Sequence, residues 1–315
     1  MNHKMKILVT GGTGFIGRHV TRELLLRGHT VDVLVRGLWD AEVVPYFSFD
    51  AADVPIVAHP IRGDIFKPET LPNLRGYDAL VHLAWSARSD YLTTTSNLDH
   101  VSAAVTLAHA ALASGTVQHV CMAGSSFEYA ASSEPVTESA RLTPLTDGPL
   151  YVACKRLAYV AIDMAVKCEV RFLWPRVFQP YGPGESFARL LPTLVRSSRR
   201  RDGPIPVSSG KQVRDFIHVR DVALAIAHLL DGSIVSGPVN VGTGIGTSVR
   251  DVILAVAAEL GVVDRLAWNT IPLREGEREC LVADNTLLRT TGFTPHIAAS
   301  KGISEYIRFL DAKES

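Results

Sequence analysis

Tyr151 and Lys155 stand four residues apart in Tyr151-Val152-Ala153-Cys154-Lys155, the spacing that puts two side chains one above the other on a helix face. A phenol with an ordinary pKa near ~10 is a poor acid or base at neutral pH. An ammonium beside it would draw that value toward neutrality. Upstream, Gly124-Ser125-Ser126-Phe127-Glu128-Tyr129 follows a strand-like run at 119–123, and a hydroxyl at such a strand end can hydrogen-bond a substrate oxygen. Ser125, Tyr151 and Lys155 are therefore the candidate catalytic residues. A tyrosine and a lysine at this spacing also occur by chance on surface helices, so the pair needs support from elsewhere in the chain.

That support begins at Thr10-Gly11-Gly12-Thr13-Gly14-Phe15-Ile16-Gly17. Gly12, Gly14 and Gly17 satisfy G-x-G-x-x-G, and Gly11, Gly14 and Gly17 satisfy G-x-x-G-x-x-G. Glycine lets backbone N–H groups approach a pyrophosphate, and a helix N-terminus adds unpaired donors and a favourable dipole. Between a strand and a helix near the chain start, this turn predicts a dinucleotide site. An acidic residue about 20 positions further on would bind the ribose of NAD. The position holds Arg36, in Val35-Arg36-Gly37, with Arg18 as a second cation. A guanidinium suits the 2′-phosphate of NADP, so NADP(H) is the expected cofactor.

The elements that must position these residues alternate between strand and helix. Apolar strand patterns fall at 6–10, 30–35, 54–61, 79–84, 119–123 and 170–174, with helical spacing at 15–27, 101–114 and 151–166. Gly28 is placed to cap the first helix. Continuous apolar strands separated by helices predict an α/β fold, a doubly wound parallel sheet covered on both faces. After about residue 175, prolines and glycines crowd together and predict loops and short elements instead of a continued sheet. Asp221 is read as the cap of a helix at 222–230, and Ser248-Val249-Arg250-Asp251 as a capping box before a helix at 253–260 that Gly261 stops. The run Arg196-Ser197-Ser198-Arg199-Arg200-Arg201 reads as a solvated helix end or loop.

Composition bounds the possibilities. The 315 residues carry 32 Lys+Arg and 32 Asp+Glu, a formal net charge of zero, which argues against coating nucleic acid or an anionic membrane. Hydrophobic residues at 47% and charged residues at 20% describe a globular chain. Near the N-terminus the apolar run Ile7-Leu8-Val9 is too short for a signal core, no stretch reaches the length of a membrane span, and a cytoplasmic location is expected. Cys121, Cys154, Cys168 and Cys280 form no Cys-x-x-Cys pair and read as buried free thiols; no metal site is expected.

Taken together, these motifs resemble the extended branch of the short-chain dehydrogenase/reductase superfamily, the nucleotide-sugar epimerase/dehydratase/4-ketoreductase group. The resemblance also rests on Gly63-Asp64-Ile65, His82-Leu83-Ala84-Trp85, Asn97, the stretch from Pro175 to Gly184, the stretch from Gly210 to Val219, and Asn240-Val241-Gly242-Thr243-Gly244. It implies a Rossmann-type domain over 1–174, to which the chain returns around 213–240, and a smaller mixed substrate-binding lobe over 175–315. It implies that Ser125 holds the sugar C4 oxygen, that Tyr151 is the acid/base, and that Lys155 binds the nicotinamide ribose and tunes Tyr151. Asp64 and Ile65 would lie near the adenine, Leu83, Ala84 and Trp85 along the cofactor, and Ser126, Gln179, Arg214 and Arg274 around the substrate and its diphosphate. It also implies a homodimer, for which Leu157, Val160, Ala161 and Met164 could serve either the interface or the core.

Two departures matter. Gln179 stands where many relatives have Asn, and Ser126-Phe127 stands where 4,6-dehydratases carry Asp-Glu. Phenylalanine cannot transfer a proton, so water elimination is disfavoured, and Glu128, one position off, reads as a structural or substrate-hydroxyl contact. His82 and His218 read as structural, and Trp85, Trp174 and Trp268 as packing. Arg36 favours net reduction, and the leading expectation is NADPH-dependent reduction of the C4 ketone of a nucleotide-activated 6-deoxy-4-ketohexose. The alternatives are an NAD-dependent nucleotide-sugar 4-epimerase and, from another class, a non-catalytic NADP-sensing scaffold.

Overall fold

The computed structural model describes residues 4–37, 58–86, 88–166, 170–200, 203–232, 234–273 and 277–313. In chain order the elements are β1 (Lys6–Thr10), α1 (Phe15–Leu26), β2 (Thr30–Val35), β3 (His59–Arg62), β4 (Ala79–His82), α2 (Ser96–Ser114), β5 (His119–Met122), β6 (Gly124–Ser125), α3 (Leu150–Val166) and β7 (Arg171–Val177). They continue with β8 (Gln179–Tyr181), α4 (Leu190–Arg199), β9 (Ile205–Pro206), β10 (Val213–Arg214), β11 (Phe216–His218), α5 (Val219–Gly232), β12 (Gly237–Val241), β13 (Thr247–Ser248), α6 (Val249–Glu259), β14 (Leu266–Ala267), β15 (Cys280–Leu281), α7 (Thr286–Thr290) and α8 (Ala299–Lys313).

The main sheet runs β12-β7-β5-β4-β1-β2-β3, with β6 also on β7, and its pairings are parallel. Alternation along each strand serves both faces. Ile7 and Val9 pack with α1 and α5, through Val20, Leu24, Val222 and Ile226. Leu8 points the other way, onto α2 and α3, through Leu107, Ala111 and Ile162. Chain order reverses between β1 and β4, and their C-terminal ends are where open α/β sheets form a ligand crevice. A second core, including Leu191, Val195, Ile253, Val256, Tyr306 and Ile307, joins α4, α6 and α8 into a separate lobe.

Several boundaries differ from the sequence reading. The first half of the strand expected at 54–61 lies outside the described residues, and the described strand is His59–Arg62. The sheet does not stop at 174: β7 continues through Pro175 to Val177 because β12 pairs with it, Val239 opposite Pro175 and Val241 opposite Val177. Asp221 is not a helix cap. The chain passes from β11 straight into α5 at Val219, where Arg220 N donates to His218 Nδ1 (3.2 Å). Asp221, inside the first turn and buried, instead accepts from His296 N and Ile297 N (3.1 and 2.8 Å). Ser248 does cap α6, accepting from Asp251 N at 3.0 Å.

Candidate active site

The glycine turn is shaped by close approach. Gly11 takes φ +73°, and a Cβ there would lie 2.5 Å from Ala84 N; a Cβ at Gly17 would lie 1.9 Å from Gly11 O. Gly14 is the N-cap of α1 and offers no side chain, so the first-turn amides of α1 are left for another acceptor. Phe15, Ile16 and Gly17, which carry those amides, line a cavity of about 440 Å³. A neighbouring groove of about 770 Å³ runs past Val35, Arg36, Gly63, Ile65 and Ala84. Gly11, Gly14, Leu83 and Trp85 line both spaces. A helix N-terminus without a side-chain cap, beside a glycine cradle and with Arg36 along the groove, fits a dinucleotide pyrophosphate and an anionic ribose. Gly63 and Ile65 line that groove, and the Asp64 carboxylate between them accepts from Phe66 N at 3.1 Å.

Ser125, Tyr151 and Lys155 line the smaller cavity together. Ser125 stands at the end of β6, and Tyr151 and Lys155 sit on the first turns of α3. Tyr151 N donates to Leu92 O (3.0 Å), which fixes the start of that helix. Burial pushes the Tyr151 phenol well above its ordinary value, and its hydrogen bond with Ser125 opposes that shift. Burial likewise lowers the Lys155 amine to about 7, against the pull of Glu128. The sequence reading expected the lysine to draw the tyrosine down. Burial dominates instead, and the groups that oppose it are Ser125 and Arg189. Lys155 Nζ donates to Ala123 O (2.7 Å) and lies 3.8 Å from the centre of the Trp85 ring, but 5.8 Å from that of Tyr151.

Glu128 is fully committed. Its Oε1 accepts from Ser125 N (2.8 Å) and Trp174 Nε1 (2.9 Å), and its Oε2 accepts from Arg176 Nε (2.9 Å). Neither Glu128 nor Arg176 is more than 1% exposed. A carboxylate held this way cannot serve as a mobile acid, and the structural reading of Glu128 is what the geometry bears out. Trp174 is equally structural, buried in the sheet. Trp268 packs under the Arg250 guanidinium (3.9 Å). His82 is buried beside β1, its Nδ1 2.6 Å from Thr10 Oγ1.

Among the expected substrate residues, Ser126 and Gln179 line the cavity. Gln179 is set there by β8, whose Gln179 N donates to Asp215 O (2.9 Å). Asp215 in turn accepts from Thr243 N, Thr243 Oγ1 and Gly244 N (2.8, 2.6 and 2.9 Å), so the 210–219 and 240–244 motifs brace each other. Arg214 is buried outside that lining, with its fork on the Glu277 carboxylate and the Val213 and Arg278 carbonyls. Arg274 lies outside the described residues, as does Cys168.

Sequence reasoning missed Tyr91 and Arg189, which also line the cavity. Tyr91 packs edge-on against Tyr151, with centroids 5.2 Å apart. Arg189 precedes α4 and its cation favours the phenolate of Tyr151. The only signal for Arg189 was a cation immediately before the helical Leu190-Leu191-Pro192; Tyr91 sits in a loop with no periodicity at all.

Residues 7–242 match the model of the "NAD dependent epimerase/dehydratase family". The chain is 29% identical to a UDP-glucose 4-epimerase of Mycolicibacterium smegmatis, over 98% of this chain and 99% of that one. It is 25% identical to a dTDP-6-deoxy-L-talose 4-dehydrogenase (NAD(+)) of Aggregatibacter actinomycetemcomitans, over 86% of this chain and 96% of that one. Among solved structures, MoeE5 in complex with UDP-glucuronic acid and NAD superposes with a TM-score of 0.80 at 26% identity, covering 98% of this chain and 100% of that one.

Proposed function

The chain belongs to the NAD dependent epimerase/dehydratase family, and on that premise we propose that it is an NADPH-dependent reductase of the C4 ketone of a nucleotide-activated 6-deoxy-4-ketohexose. The observation that carries the reading is the Ser125–Tyr151–Lys155 group lining a cavity that opens from a dinucleotide groove with Arg36 on its wall. A dehydrogenase acting at C4 of a 6-deoxyhexose nucleotide is among its relatives, and its reverse reaction is a C4 ketone reduction.

When bound, the nicotinamide supplies the hydride that reduces C4. Tyr151 donates its proton to the ketone oxygen as charge develops there. Ser125, already hydrogen-bonded to Tyr151, holds that oxygen in line with the phenol. Lys155 places an ammonium beside the forming phenolate and so lowers the cost of releasing the proton. Phe127 has no proton to transfer and Glu128 is fully committed, which argues against elimination of water through these two positions. Arg36 pairs with a 2′-phosphate through charge-assisted hydrogen bonds. The sheet assembly is assigned to the cofactor and the lobe of α4, α6 and α8 to the nucleotide sugar. A cytoplasmic homodimer through α3, where Leu157, Val160 and Met164 are 47%, 49% and 61% exposed, completes the proposal.

A second reading, an NAD-dependent 4-epimerase, is favoured by the UDP-glucose 4-epimerase relative and by the NAD-bound neighbour. The two separate in one assay. A reductase oxidises added NADPH stoichiometrically with one of a panel of NDP-4-keto-6-deoxyhexoses. An epimerase purifies with its dinucleotide in place and leaves NADPH absorbance unchanged with every member.

A further inference from the structure

The Trp85 indole stands at the boundary between groove and cavity, held by Asn97, His100, Tyr151 and Lys155. Its Nε1 donates to Asn97 Oδ1 at 2.8 Å. Asn97 is fully buried, and its amide is oriented by donation from Nδ2 to Tyr91 O and Thr94 O, both at 2.8 Å. One ring partner is His100, stacked with centroids 5.1 Å apart and planes 18° apart. Tyr151 meets the indole edge-on at 6.2 Å. The Lys155 ammonium stands 3.8 Å from the ring centre, well inside the range of a cation–π contact.

The other groups facing Lys155 leave this contact prominent. On its own helix is Tyr151, whose ring centre is 5.8 Å away, and on β7 is Trp174 at 5.9 Å. Glu128 attracts the ammonium, but its charge is matched by Arg176 at 2.9 Å. His82 on β4 and His100 on α2 are both held neutral by burial, near 3 and 4, so neither supplies a competing charge at neutral pH. Lys155 Nζ also donates to the Ala123 carbonyl.

We propose that Trp85 is a positioning residue whose π face, fixed by Asn97, holds the Lys155 ammonium and so sets the charge available to Tyr151. The inference rests on the reading that Tyr151 and Lys155 act as a couple. It goes beyond that reading in giving the indole an electrostatic part in addition to packing. The negative face of the ring favours the protonated amine, opposing the burial that favours the neutral one.

The test keeps the shape and changes only the ring's electrostatics. Tryptophans carrying one to four fluorines are incorporated at position 85, and the Lys155 Nζ resonance is titrated by ¹⁵N NMR in the cofactor-free protein. The protonation midpoint should fall stepwise with each fluorine, by about 0.5 pH unit or more across the series, while the melting temperature stays nearly constant. A midpoint that does not move across the series overturns the proposal. The titration needs no substrate, so a flat series leaves the proposed reaction standing. Failure to reduce any sugar, conversely, leaves a shifted series intact.

Discussion

Ser125 and Glu128 lock each other across a single turn: Glu128 Oε1 accepts from Ser125 N at 2.8 Å, and the Ser125 hydroxyl accepts from Phe127 N at 3.2 Å. The hydroxyl that is to meet the sugar oxygen is thus set by a carboxylate anchored to Arg176. Glu128→Gln would leave a buried guanidinium without its counter-charge. Breaking a buried pair in this way costs about 3–5 kcal/mol. Urea unfolding should show that loss, together with lower turnover; unchanged stability would mean the pair is not holding the site.

Tyr151→Phe removes the proton donor and the bond to Ser125 but leaves the groove untouched. Turnover should fall by about 10²–10⁴-fold. The cofactor dissociation constant, read by fluorescence titration, should change by no more than about twofold, well under 1 kcal/mol. A comparable loss in both would relocate the tyrosine from chemistry to binding.

How much of this was legible beforehand depended on whether the signal was local. The glycine turn and the Tyr151/Lys155 spacing depend on backbone conformation and helical period, which neighbouring residues determine, and the structure places them at one crevice. Ser248 as a cap was legible for the same reason. Asp221 was misread because its partners, His296 N and Ile297 N, lie some 75 residues away. The continuation of β7 past Pro175 was hidden because it depends on pairing with β12, more than 60 residues downstream. Tyr91 and Arg189 reach the cavity from a loop and a helix start, where no period marks the inward side.

Arg36→Ala should weaken NADPH binding by roughly tenfold or more, the worth of a hydrogen bond to a charged group, while NADH binding changes little. Isothermal titration with the two dinucleotides checks it. Equal losses for both would remove the basis for an NADP preference.

Lys155 also makes the cofactor-free protein pH-sensitive. Its folded value, about 7, lies below the ordinary 10.5, so the unfolded chain binds the extra proton between those limits and stability rises with pH across them. The burial cost is therefore fully present below pH 7 and fades toward pH 10. Lys155→Met should raise the melting temperature most below pH 7, with the gain shrinking as pH increases. A gain independent of pH would point to packing instead of charge.

Met164→Asp places a charge on the exposed apolar stripe of α3, at a position 61% exposed in the single chain. Sedimentation analysis should show the proposed homodimer replaced by monomer. A wild-type chain that sediments as a monomer at micromolar concentration would contradict the assignment of that face.

The central claim is tested most directly by following a label. The protein is given NADPH deuterated at the transferable position of the nicotinamide C4, with a panel of NDP-4-keto-6-deoxyhexoses, and the products are read by NMR. Deuterium at sugar C4, with one equivalent of NADPH consumed per product, is the predicted result. If every 4-keto sugar is returned unreduced, while an added NDP-hexose with a C4 hydroxyl is converted to its C4 epimer with no deuterium incorporated and no NADPH consumed, the result would contradict net reduction and identify the reaction as epimerisation.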